Sequence, residues 1–200
     1  MGWLLLAWLL HTPAHATAFT AREAQVLLEP DGRPSQVVAV ELPHRWDKTF
    51  PGLGGQARYE LTLPAVANIE PHGLYFPRMG NQVEVLLNGR LLAHLGTLGD
   101  SRYDAAKAPQ WLAIPAGLLR ADADNRLSVI VRVQAGRWGG LAAPVFGPER
   151  DVYPIYQDRY MWRQFGAAAI VFSMALLAVL AGGLGWLERG AVYGYFAWAA

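Results

Sequence analysis

Arg126-Leu127-Ser128-Val129-Ile130-Val131-Arg132-Val133 decides the fold. Leu127, Val129, Val131 and Val133 fall on one side of an extended chain, which is the period-two signature of a half-buried strand. Asp122-Ala123-Asp124-Asn125 precedes it, a cluster of turn formers. Arg58-Tyr59-Glu60-Leu61-Thr62-Leu63 alternates in the same way, with Tyr59, Leu61 and Leu63 inward. Gln82–Leu87 repeats the pattern through Val83, Val85 and Leu87. Asn88-Gly89 follows and leads into Arg90–Leu95. An Asn-Gly pair between two apolar runs predicts a hairpin, because both turn positions need positive φ. Weaker strands are expected at Gln36–Leu42, Gly73–Phe76 and Gln110–Ile114, and a single helical turn at Pro115–Leu119. Many short strands with little helix predict an all-β sandwich of jelly-roll type.

The ends of the chain read differently. Met1–Leu10 is too short to cross a membrane but suits the apolar region of a signal peptide. Ala14 and Ala16 match an A-x-A cleavage site, so residues 1–16 are expected to be removed, cleavage after Ala18 being the alternative, and 17–150 to form an exported domain. No Lys or Arg precedes the apolar run. The chain has no cysteine, which removes thiol chemistry, disulfides and cysteine-based zinc sites together. Its net charge of +1 gives no electrostatic case for nucleic acid.

From Asp151 the chain turns aromatic and charged, with Tyr153, Tyr156, Tyr160, Trp162, Arg159 and Arg163. Tyr and Trp favour the headgroup layer, so 151–164 is expected to be a juxtamembrane linker. The 23 residues 165–187 carry no charge, enough to cross about 30 Å of hydrocarbon with some tilt. Their ten Leu, Ile, Val or Phe residues favour insertion by about −3 to −6 kcal/mol in sum. A transmembrane α-helix is therefore expected to follow the sandwich. Ala191–Ala200 reads as the start of a second, truncated span. Arg159 and Arg163 outside, against Arg189 inside, run counter to the positive-inside bias, but long exported domains translocate largely regardless of such charges.

Leu42-Pro43-His44-Arg45-Trp46-Asp47, Gly54-Gly55-Gln56-Ala57-Arg58-Tyr59, Gly80–Gly89, Arg137-Trp138-Gly139-Gly140-Leu141 and Gly147-Pro148 together carry a family likeness. In order and spacing they resemble the periplasmic jelly-roll domain of bacterial seven-transmembrane receptors with diverse intracellular signalling modules. More loosely they are similar to galactose-binding-like and glycosidase sugar-binding domains. The resemblance covers about Val37 to Ala200. It implies a periplasmic sensor domain on the bacterial inner membrane, working as a homodimer in signal transduction. It also implies a cytoplasmic output beyond residue 200, a histidine kinase of a two-component system or a diguanylate cyclase, with the kinase favoured.

No catalytic site is expected in this chain. The five histidines show no metal-ligand spacing in the exported part, so no metal and no cofactor is assigned. Asp100 with Asp104, or Glu60 with Glu84, would be the carboxylate pairs for glycoside hydrolysis, but exposed acids on strands and loops explain them better. The candidate ligand-binding residues are Trp46, Arg78, Asn81, Arg137 and Trp138, beside strand ends and Gly-rich turns. Sugar binding uses a flat aromatic face together with side chains that hydrogen-bond hydroxyls. The competing reading makes Trp46 and Trp111 core aromatics and Asn81 a turn cap. A small ligand such as a carbohydrate, or a protein partner, is expected. A membrane-anchored carbohydrate-binding domain is the rival to the receptor.

Overall fold

The structure is a computed structural model that describes residues 18–67, 70–96, 100, 102–115, 117–188 and 198. Side chains are described for these apart from 164, 167, 168 and 184–188. The expected signal peptide lies outside the described residues, and so does the expected second span apart from Trp198.

In chain order the elements are β1 (Phe19–Thr20), β2 (Glu23–Pro30), β3 (Gln36–Glu41), β4 (His44–Arg45), α1 (Trp46–Thr49), β5 (Gly55–Leu63), β6 (His72–Phe76), β7 (Gln82–Leu87) and β8 (Arg90–Leu95). A 3-10 turn at Ala105–Lys107 precedes β9 (Gln110–Ile114), β10 (Asn125–Val133), β11 (Gly140–Leu141), β12 (Val145–Pro148) and α2 (Glu149–Glu188). Six strands form one antiparallel sheet in the order β3-β2-β5-β10-β7-β8, and four form the other in the order β1-β12-β6-β9. A short β11-β4 ribbon closes one end. The two sheets enclose one core, so the protein is an antiparallel β-sandwich.

The alternation in sequence becomes alternation of burial. Leu127, Val129, Val131 and Val133 are buried, as are Tyr59, Leu61, Leu63, Val83, Val85 and Leu87. Burying a side chain of this size contributes about 1.5–3 kcal/mol against leaving it in water. Asn88 and Gly89 take φ of 52° and 79°, the two left-handed positions of the expected hairpin turn. The segment expected to be one helical turn is instead a tight turn, closed by Leu118 N–H donating to Pro115 O at 3.2 Å. Gly117 sits in it at φ 79°, which ends any helical path there.

Helix α2 begins at Glu149 and runs for 40 residues. The expected linker is therefore helical and continuous with the apolar stretch. Its first turns lie on the outer face of the four-stranded sheet, against β6, β12 and β9. That cover explains why β6 is buried at every residue. Among the described residues no helix is long and apolar enough to cross a membrane.

Candidate functional site

The strand register defines two ends. Gly55, Val133, Pro30 and Gln82 lie at one, and Leu63, Asn125 and Leu87 at the other. The first end carries the 77–81 and 134–139 loops, where most of the candidate residues converge.

Arg78 and Trp138 meet there, the guanidinium carbon 4.0 Å from the indole centroid. Arg78 is exposed and Trp138 half-buried. A guanidinium over an indole face is a cation–π contact, and it occupies the ring face it covers. Asn81 lies beneath, fully buried. Its Nδ2 donates to Asp104 Oδ1 at 3.0 Å and to Trp138 O at 3.4 Å. Its Oδ1 accepts from Gln134 N–H at 2.9 Å. Asn81 therefore ties three loops together and has its amide committed. Arg137 is exposed in the adjoining turn.

Trp46 lies at the same end but is turned inward, its backbone N–H donating to Gly139 O at 3.0 Å and its ring lying over Gly55. It is 1% exposed, donates Nε1–H to Leu53 O at 2.8 Å and packs on Phe50 with centroids 4.8 Å apart. No ring face reaches solvent, so Trp46 is a core aromatic. The structure thus brings Arg78, Asn81, Arg137 and Trp138 to one end, with Arg78 and Trp138 forming the accessible pair.

The carboxylate pairs Glu60 with Glu84 and Asp100 with Asp104 are engaged in other contacts. Glu60 accepts from Arg126 at 3.0 Å and from Ser128 at 2.6 Å. Glu84 faces His94 at 3.7 Å, Asp100 pairs with Arg102, and Asp104 caps the 3-10 turn through Ala106 N–H. Among the described residues no group of three His, Asp or Glu is placed to hold a metal ion.

Next to Trp46, Tyr59, His44 and Thr49 form a chain. His44 Nδ1 is 2.8 Å from the Tyr59 hydroxyl, and Nε2 is 3.1 Å from Thr49 Oγ1. Thr49 donates to Arg45 O, so its oxygen accepts from Nε2–H and Nδ1 accepts from Tyr59. Burial lowers the His44 pKa and raises that of Tyr59. Both groups are held neutral.

A second cluster joins the sandwich to α2. Trp111 on β9 meets Tyr153 edge to face at 5.3 Å and Tyr156 at 6.4 Å. Tyr75 on β6 meets Tyr156 at 6.2 Å. Trp111 lies so close over Gly73 that a Cβ there would be 2.0 Å from the ring. Val152 is fully buried, and Arg150 pairs with Glu70 at 3.0 Å. Tyr153 and Tyr156, expected at the headgroup layer, instead pack on the sheet. Tyr160 and Trp162 remain exposed, Trp162 at 73%. The four-residue return from Tyr156 to Tyr160, and from Val152 to Tyr156, was the signal for a helix face.

No family model matches the chain, and no curated protein does. Among solved structures it is similar to a GH2 β-galacturonidase from Eisenbergiella tayi bound to galacturonate, with 17% identity and TM-score 0.50. That likeness covers 66% of this chain and 24% of the enzyme. It is also similar to a β-glucuronidase from Ruminococcus gnavus in complex with uronic deoxynojirimycin, with 13% identity, TM-score 0.51, and 68% and 29% of the two chains covered. The chain thus spans less than a third of either enzyme. The likeness establishes the fold, a β-sandwich like one found in GH2 enzymes.

Proposed function

We propose that this chain is the N-terminal sensory and membrane region of a bacterial transmembrane signalling receptor, with its sandwich in the periplasm and residues 165–187 crossing the inner membrane. The observation that carries this reading is α2. One helix leaves the sheet under aromatic packing and continues, without a break, into the uncharged stretch. Its apolar side chains there face outward all round: Phe165, Ile170, Val171, Phe172, Leu177 and Val179 are each more than 60% exposed. A helix apolar on every side is stable when lipid surrounds it. Coupling through a stiff element lets a ligand that favours one arrangement of the sandwich bias the helix below.

The resemblance favours a histidine kinase output over a diguanylate cyclase, working in a homodimer. The test is alkaline extraction of membranes from cells making the full chain. Retention in the pellet supports a span, and release into the supernatant removes it.

A second reading, a membrane-anchored carbohydrate-binding domain, draws on the exposed Arg78–Trp138 pair. Titrating the full chain in detergent with a panel of neutral and acidic sugars, followed by tryptophan fluorescence, separates the two. A saturable change lost in Trp138→Ala supports it, and no response across the panel removes it.

A further inference from the structure

We infer that the end of the sandwich carrying Arg78, Lys107 and Arg137 is a docking face for anionic phospholipid headgroups, an inference that rests on the membrane span proposed above.

The direction of α2 comes first. Glu149 N–H donates to Pro71 O at 2.9 Å, so the helix starts where β6 starts. Tyr156 then lies beside Tyr75, and Ile155, Arg159 and Arg163 share a surface cleft with Pro77 and Pro109. From Glu149 to Arg163 the helix rises about 21 Å, and from Pro71 to Pro77 an extended chain covers about 20 Å. The two match, so α2 runs alongside β6 and passes the sandwich at the Pro77 end. Residue 165 begins the uncharged stretch only two residues later. The headgroup layer is about 5–8 Å deep on each side of the hydrocarbon. Pro77, Pro109 and the loops beside them therefore stand at headgroup depth.

Charge segregates along the same axis. At the Pro77 end Asp31, Asp47 and Asp100 are paired with Arg132, Arg45 and Arg102, Asp104 is held by Asn81 and a backbone amide, and Glu29 accepts from Gln56, while on α2 the exposed Asp158 is outweighed by Arg159 and Arg163. Arg78, Lys107 and Arg137 are exposed there, and among the described residues none has a carboxylate partner. At the far end the exposed Glu23, Glu41, Asp122 and Asp124 have no ion pair among the described residues, and they outnumber the exposed Arg22, Arg90 and Arg120 beside them. The sandwich is thus electrically polar, with its positive end toward the bilayer. Half-buried Trp138 and exposed Tyr103 add the amphipathic rings that favour this layer. Basic residues at an anionic surface each strengthen association, and the effect fades beyond a Debye length of about 8 Å in physiological salt. A soluble polyanion would meet the same charges, but the helix holds this face at the membrane and not in bulk water.

The cysteine-free chain makes the test direct. Ala135→Cys, at the proposed face, and Asp122→Cys, at the far end, are labelled with a fluorophore in the full chain reconstituted in nanodiscs carrying a headgroup-attached quencher. Phosphatidylcholine alone is compared with phosphatidylcholine plus phosphatidylglycerol. The expected result is quenching at 135 but not at 122, stronger on the anionic lipid and reduced by high salt. Lys107→Gln with Arg137→Gln should lower the ratio of docked to undocked sandwich about fivefold per residue removed. Equal quenching at the two positions, or quenching at 135 that ignores lipid charge, overturns the inference. A chain that does not enter nanodiscs overturns the span instead, which is a separable result.

Discussion

Trp111 and Tyr153 meet edge to face, their centroids 5.3 Å apart and their planes at 70°. This contact joins a sheet strand to the first turns of a helix that leads away from the domain, so it bears on stability and on coupling together. Trp111→Ala should destabilise the sandwich by about 1–3 kcal/mol, since a half-buried indole and its ring pairs are lost. Thermal unfolding followed by near-UV circular dichroism measures it. A change below about 0.5 kcal/mol would mean that the helix is not docked there.

Gly73→Ala attacks the same junction from beneath. The added Cβ would fall 2.0 Å from the Trp111 ring, and a ring held between a strand and Tyr153 has little freedom to move. Overpacking of this kind costs about 1–3 kcal/mol. Combined with Trp111→Ala the penalty should largely vanish, because the space is then open. Equal penalties in both backgrounds would contradict the packing described.

Asn125 is 1% exposed and makes four hydrogen bonds to three residues. Its Nδ2 donates to Pro64 O and Arg120 O, and its Oδ1 accepts from Arg120 N–H and Asn88 Nδ2. Asn125→Ala strands several of these groups and should cost about 2–4 kcal/mol, read from urea unfolding. Asn88 belongs to the same knot, its Oδ1 accepting from Arg126 N–H at 2.9 Å. Asn88→Gly should therefore destabilise although glycine suits its φ of 52°.

His44 gives the domain an acid limit. Burial lowers its pKa from the ordinary 6.5, so the unfolded chain takes up a proton at a higher pH than the folded one. Stability from this group is complete above pH 6.5 and is lost as pH falls toward the lowered folded value. The melting temperature should drop on acidification across that window, and His44→Gln should flatten the drop. An unchanged acid slope in the variant would place the proton uptake elsewhere.

The strands that sequence reveals are those with one wet face. β5, β7 and β10 alternate because one side meets the core and the other meets water. β2 was passed over, since Leu27-Leu28 interrupts its alternation and Ala24 is a weak apolar marker. β6 shows little alternation because α2 covers its outer face, a tertiary fact that no local pattern encodes. The candidate residues follow the same logic. Arg78 and Trp138 were legible as loop residues beside Gly-rich turns, but their stacking depends on loops some sixty residues apart in sequence. Trp46 carries the same residue type as Trp138, and only its place beneath Phe50 and Leu53 distinguishes it.

The central claim is a sandwich outside the inner membrane joined through one stiff helix to the inside. Single cysteines at Ala135 and Gly190, introduced separately into the cysteine-free full chain, are exposed to a membrane-impermeant maleimide in cells with a permeabilised outer membrane. The account predicts labelling at 135 while the inner membrane is intact and at 190 only after detergent. Labelling of both before detergent, or of neither, would contradict it.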